Sequence, residues 1–180
     1  MGTEMQRLFV LFLSCILFAF AAFAQAGEVR LIGHYDNIKA SNSPDPHQFG
    51  YGMSLYRRTD GLVFGSFVYA SGTTEGSNAL LYDIELDQDK KLLTFKAKLS
   101  SGSEPSGSGF RETREIFAFK GSIAGKFVSG KLVRTDGYAP ATSAKTTQIK
   151  LKRDRSKLNG TYVPGSYEEW LSQAPPPANW

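Results

Sequence analysis

Cysteine is nearly missing from this sequence: the only one, Cys15, lies inside an N-terminal apolar run, so the remainder of the chain has nothing with which to build an internal disulfide. Histidine and tryptophan are almost as scarce, two of each, at His34, His47, Trp170 and Trp180. This scarcity leaves little material for a Cys/His metal centre or a nucleophilic triad, and no G-x-S-x-G occurs. A His34/Asp36 pair with Asp45 and His47 in the following loop can be drawn as a metal site, but nothing in the spacing makes those ligands converge. Gly121–Phe127, GSIAGKF, looks like a phosphate loop but is one residue short between its glycines and lacks Ser or Thr after Lys126, so it reads as a hairpin turn. A Glu115 acid or base helped by tyrosine hydroxyls is the one catalytic arrangement left. The expectation is therefore a protein that is not an enzyme, with no catalytic residues, no metal and no cofactor.

What is present begins with a leader. Arg7 precedes an apolar run from Leu8 to Phe23, followed by the small-residue exit Ala24-Gln25-Ala26. That order is a secretory signal peptide over 1–26, cleaved after Ala26, and it predicts a secreted or periplasmic protein. Retention as a membrane anchor is the competing reading, and the run is at the short end for a span. Ser14-Cys15 sits too deep in the run for a lipid attachment site. Cleavage removes Glu4 and Arg7 together, so the net charge stays at +4, which suits solubility and settles no partner.

After the leader, no stretch keeps helical periodicity before the last fifteen or so residues, whereas period-two alternation recurs throughout. It predicts strands near 29–36, 50–57, 62–70, 79–87, 91–99, 111–123, 126–134 and 145–153, with a two-residue hairpin at Asp60-Gly61. The links alternate in length. NIKASNSPDPHQF, SGTTEGSN, SSGSEPSGSG and TDGYAPATSA are long, whereas TDG, DQDK and Ala124-Gly125 are short. In an up-and-down meander these two sets fall at opposite ends of the sheet, giving one tight end and one loopy end. Gly33, Gly65, Gly121 and Gly130 share the parity of their apolar neighbours, as a tightly coiled sheet requires. The predicted fold is all-β: an eight-stranded antiparallel up-and-down barrel over 27–157, with a C-terminal extension over 158–180. In that extension Ser166 and Glu169 form a capping box for a short helix through Ser172, stopped by Pro175–Pro177 and laid on the barrel wall through Trp170 and Leu171.

Inward parity gives two layers. Near the tight end it collects Leu31, Leu55, Val63, Leu86, Leu93, Ile123, Val128 and Leu151; near the loopy end, Tyr35, Tyr51, Tyr69 and Tyr82, joined by Glu115, Arg134 and Thr147. A ring of tyrosines below a wet mouth suits a ligand with an apolar body and a polar head, with Arg134 as partner for an anionic head. The competing reading is a plugged barrel in which Arg134 pairs with Glu115. Outward parity is polar and holds Lys96, Lys98, Lys120, Lys131, Lys150 and Lys152. The basic run Lys145–Lys157 then reads as a solvated edge, and export weighs against a nucleic-acid partner. Asn159-Gly160-Thr161 is a glycosylation sequon where the host glycosylates exported chains.

This layout resembles the calycin-type barrels, lipocalins and avidin-like proteins. Gly33-His34-Tyr35 is similar to the lipocalin G-x-W motif with tyrosine in place of tryptophan, and residues 60–67, DGLVFGSF, look like the second-to-third hairpin of avidin-like barrels. The resemblance covers 29–153 and implies a small, largely apolar or amphiphilic ligand held in the barrel. The departure is tryptophan: both lie after the last strand, so a tryptophan-lined cage is not implied. Two rivals stand beside this expectation. One is an eight-stranded outer-membrane barrel, against which the strands are at or below spanning length; the other is a filled structural or interaction barrel with no ligand. Oligomeric state is left open, and membrane association is not expected once the signal is removed. The leader reading has a direct check: the intact mass of the exported protein corresponds to a chain starting at Gly27, and an uncleaved mass would restore the anchor.

Overall fold

The computed structural model describes residues 28–107, 109–140, 142–154 and 163–180. The expected signal peptide and the Asn159 sequon lie outside the described residues. Strands are β1 (Val29–Asp36), β2 (Lys39–Ala40), β3 (Gln48–Arg58), β4 (Val63–Thr73), β5 (Ser77–Asp87), β6 (Leu92–Leu99), β7 (Ser103–Ser106), β8 (Gly109–Glu112), β9 (Glu115–Ala124), β10 (Phe127–Asp136) and β11 (Lys145–Arg153), followed by helix α1 (Tyr167–Gln173). The eight long strands form a closed antiparallel barrel in the order β1-β3-β4-β5-β6-β9-β10-β11. Every joint except β11 to β1 links strands that follow each other round the chain. That last joint is thin: only Tyr35 with Arg153 and Asp36 with Lys152 are in register. Arg153 adds a guanidinium hydrogen bond to the Ile32 carbonyl at 2.6 Å.

The first, fifth and seventh links are long as expected, but the third is not, so the alternation holds at three of the four long links. Between β6 and β9 the chain builds a separate hairpin, β7 with β8, so the expected strand at 111–123 is split at Thr113-Arg114. Strands β4 and β5 extend into the expected third link, leaving only 74–76 between them. The β3–β4 turn occupies 59–62, longer than a two-residue hairpin. Asp60 organises it, accepting hydrogen bonds from Arg58 Nε at 3.0 Å and Nη2 at 2.5 Å and from the Leu62 amide at 3.2 Å. Those bonds favour the carboxylate and hold its pKa at about 2. Gly125-Lys126 forms the tight β9–β10 turn, so the GSIAGKF segment is a hairpin.

The interior is solid. Phe67, Phe95, Phe117 and Phe119 are all at most 3% exposed and touch in series, with ring centroids 5.8 Å apart for Phe67 and Phe95, 5.2 Å for Phe67 and Phe117 and 5.0 Å for Phe95 and Phe119. Leu55, Leu93, Val128 and Leu151 close the tight end beneath them. Each buried phenylalanine contributes about 1.5–3 kcal/mol of burial. Glycine makes room for these rings: Gly121 and Gly130 face each other across β9 and β10, and a Cβ on Gly121 would stand 2.6 Å from the tip of Phe119. At Gly65 a Cβ would run into the Ser54 carbonyl oxygen of the neighbouring strand.

Two bulges upset simple parity. One between Leu31 and Gly33 turns Leu31 out of the interior, where alternation had placed it; the other, between Tyr82 and Glu85, coincides with the positive φ of 49° at Asp83. Leu31 joins a second apolar cluster on the outer wall, in which Trp170 of α1 covers Val29, Tyr56 and Phe64. The capping box is formed: the Ser166 hydroxyl accepts the Glu169 amide at 3.1 Å, and the Glu169 carboxylate accepts the Gly165 amide at 2.6 Å. Trp170 faces the wall as expected, but Leu171 is 44% exposed and does not. Replacing Gly65 by alanine forces β3 and β4 apart and should cost about 1–3 kcal/mol. Urea unfolding of Gly65→Ala checks this, and an unchanged midpoint would mean the strands can part without cost.

Candidate functional site

The loopy end gathers a polar cluster over the phenylalanine core. Tyr51 and Tyr69 are directly opposite each other on β3 and β4, and their rings stack with centroids 5.5 Å apart. Tyr69 rests on Phe117 at 5.2 Å and Tyr51 on Phe67 at 6.1 Å, so the two phenols form the roof of the core. Arg134, near the end of β10, donates from Nη1 to the Tyr69 hydroxyl at 3.0 Å and pairs through Nη2 with Glu115, the first residue of β9. Thr147 on β11 lies beside the Tyr51 hydroxyl. Burial chiefly, with the Tyr69 phenol adding to it, raises the pKa of Tyr51 against the opposing pull of Arg134. Its hydroxyl stays a neutral donor.

Tyr51, Tyr69, Glu115, Arg134 and Thr147 therefore meet as the sequence suggested, and the other two tyrosines do not join them. Tyr35 points inward but lies lower, folded over Gly33 and 3% exposed, with its pKa raised by burial and opposed by Arg153. It belongs to the core. Tyr82 is on the outer wall, because it pairs with the outward Lys96 and the bulge at Asp83 reverses parity between Leu81 and Ile84. It is no part of the mouth.

Sharing Glu115 and Arg134 with the cluster is a cavity of about 240 Å³, also lined by Glu104, Arg114, Asp136 and Lys145. Most of its carboxylates are committed. Glu104 holds Arg111 at 2.7 Å, Glu115 holds Arg134, and Asp136 accepts the Tyr138 amide at 2.8 Å. Its remaining cations are not committed to carboxylates. Lys145 and Arg114 make no ion pair within 4.0 Å among the described residues, and Arg114 Nε is buried without a hydrogen-bond partner. The Arg114 guanidinium is instead held between rings, 4.8 Å from the Tyr138 centroid and 5.5 Å from that of Trp180, while Lys98 Nζ donates to the Trp180 carbonyl at 2.7 Å. The end of the described chain thus buttresses one wall of the mouth.

Sequence reasoning missed Arg114 and Lys145. Lys145 shares the inward parity of Thr147 and could have been found; Arg114 stands in the break between β8 and β9, which strand periodicity had bridged. The Glu115–Arg134 pair is unevenly buried, the two side chains being 4% and 41% exposed. Among the described residues no group of three His, Cys, Asp or Glu is placed to hold a metal ion. His34 instead hydrogen-bonds Ser54 through Nδ1 at 2.6 Å, and His47 lies 3.9 Å from Asp45. Compared with known protein families, curated proteins and solved structures, the chain matches none.

Removing Arg134 alone would leave Glu115 charged and enclosed. Arg134→Met should destabilise by about 2–3 kcal/mol, less than the roughly 3–5 kcal/mol of a fully buried pair because Arg134 reaches water. The double variant Glu115→Gln/Arg134→Met should recover most of that. Chemical denaturation of the three proteins checks it, and equal stability of single variant and parent would mean the pair is solvent-screened.

Proposed function

We propose that this barrel is an exported carrier for a small molecule bearing an anionic group, taken up at the open end and not in the interior. The observation supporting this is the arrangement of cations at the mouth: a cavity of about 240 Å³ in which arginines hold Glu104 and Glu115, Asp136 accepts a backbone amide, Arg114 is held only by aromatic rings, and Lys145 makes no ion pair among the described residues. An incoming carboxylate or phosphate would make charge-assisted hydrogen bonds there, against the loss of its own freedom of motion and the desolvation of both partners. The stacked Tyr51 and Tyr69 do not line that cavity but join it through Arg134, which donates to the Tyr69 hydroxyl, so an amphiphile whose head is held there would reach those rings with its body. A long tail finds no chamber below them, where Phe67 and Phe117 are fully buried. The calycin-like layout is consistent with such a carrier, as is the leader sequence, which directs the protein to the outside or the periplasm.

The filled interior also favours a second reading, a structural or interaction barrel without a ligand. Phe110, 79% exposed on the β7–β8 hairpin beside the mouth, would be its contact point. The outer-membrane alternative draws less support, because a lipid-facing band is apolar and here the outward positions carry Lys96, Lys120, Lys131 and Lys150.

Native mass spectrometry of the exported protein, purified without detergent, separates these readings. The carrier reading expects a discrete adduct that is lost on unfolding, and its loss from Lys145→Gln while that variant melts like the parent. A bare, well-folded parent would overturn it in favour of the structural barrel, and recovery only from detergent-solubilised membranes would favour the outer-membrane one.

A further inference from the structure

Away from the mouth, β9, β10 and β11 lie side by side and form one wall. Phe117, Phe119, Val128, Leu132, Ile149 and Leu151 point inward, so strict alternation fixes what points out. The outward positions of these three strands carry Lys120, Lys131, Lys150 and Lys152 and no Asp or Glu. All four lysines are exposed. Register puts Lys120 directly opposite Lys131, Lys131 opposite Gln148, and Lys150 two residues further along opposite Ser129. Lys152 has Asp36 beside it across the seam, so the uncompensated centre is Lys120, Lys131 and Lys150. Among the described residues none of these three makes an ion pair, whereas Lys96 on the adjoining strand is matched by Asp83 at 2.9 Å. Like charges opposed across two strands destabilise a sheet. An anion laid on the wall would remove that repulsion.

We propose that this wall is a docking face for an anionic lipid surface. Three features select a surface over a polymer. The outside of a barrel is convex and provides no groove along which a strand of polyanion could run, but it meets a plane along its length. Its cations on these strands are lysines only; the fork of arginine, which suits bidentate reading of individual phosphates, is absent from the outward positions, while flexible ammonium heads match mobile head groups. Phe127 lies on the same face, 37% exposed and 4.3 Å beneath the Lys150 ammonium, and supplies an apolar ring for the interfacial layer. The inference does not depend on the mouth cavity, which opens elsewhere.

Co-sedimentation of the full protein with phosphatidylcholine vesicles, and with vesicles in which part of that lipid is replaced by phosphatidylglycerol, tests it. Any apolar N-terminal segment would bind both alike, so the readout is the difference between them. The parent should favour the anionic vesicles and lose that preference as salt is raised. The triple variant K120Q/K131Q/K150Q should lose on the order of a hundredfold in partitioning, roughly fivefold per lysine. It should melt no lower than the parent, because it relieves a repulsion. The equal-charge control K39Q/K90Q/K91Q should keep the preference within about threefold. Equal binding to the two vesicles, or an equal loss in the control, overturns the proposal. Capture by soluble heparin without vesicle binding also overturns it, and reassigns the wall to a polymer.

Discussion

The aromatic filling of the barrel is the constraint on which everything else depends. Four phenylalanines in contact fill the middle of the barrel, and one of them, Phe119, fits against the staves because Gly121 and Gly130 face it. The features open to a partner are therefore at the surfaces. The upper ends of the strands supply a charged mouth, the outer wall of β9–β11 supplies a cationic face, and the opposite wall is spent on seating α1.

Charge is distributed in keeping with that division. Glu115 can be enclosed because Arg134 reaches it from the adjacent strand, held in turn by the Tyr69 hydroxyl. On the outer wall Lys96 has Asp83, but Lys120 stands between Thr94 and Lys131, with no carboxylate directly across from it. Two places therefore hold cations without an ion pair among the described residues: Arg114 and Lys145 at the mouth, where Asp136 is equally without one, and the three lysines of the wall. A net charge of +4 gave no sign of either, because both depend on strands being brought side by side.

Much of the fold was legible because it rests on period two. The eight staves lie within a few residues of their expected positions, and alternation of link length located the open end. What failed did so where one residue breaks the period. The bulge before Gly33 sent Leu31 outside under Trp170, and Asp83, with its positive φ, sent Tyr82 to the outer wall beside Lys96. The first bulge has Gly33 beside it, but the second, at Asp83, has neither glycine nor proline to mark it. The hairpin β7–β8 was hidden for the opposite reason, since its Ser, Gly and Pro content reads as loop while its pairing is held by Glu104 and Arg111. The middle phenylalanine layer, Phe67, Phe95, Phe117 and Phe119, follows the same parity as the layers above and below it. At the mouth, parity brought Tyr51, Tyr69, Glu115, Arg134 and Thr147 together, but a link residue such as Arg114 has no parity to follow.

The thin joint between β11 and β1 bears on how this chain assembles. Around the ring each stave but one neighbours its predecessor in sequence, so pairing can advance from hairpin to hairpin with little loss of chain freedom at any step. Only the joining of Asp36 to Lys152 must bring the two ends of the sheet together, and it rests on a couple of paired residues and a few side-chain tethers. The ribbon is thus nearly complete before it becomes a ring. Closure therefore carries the largest loss of chain freedom of any pairing step and is secured by the fewest paired residues of any barrel joint.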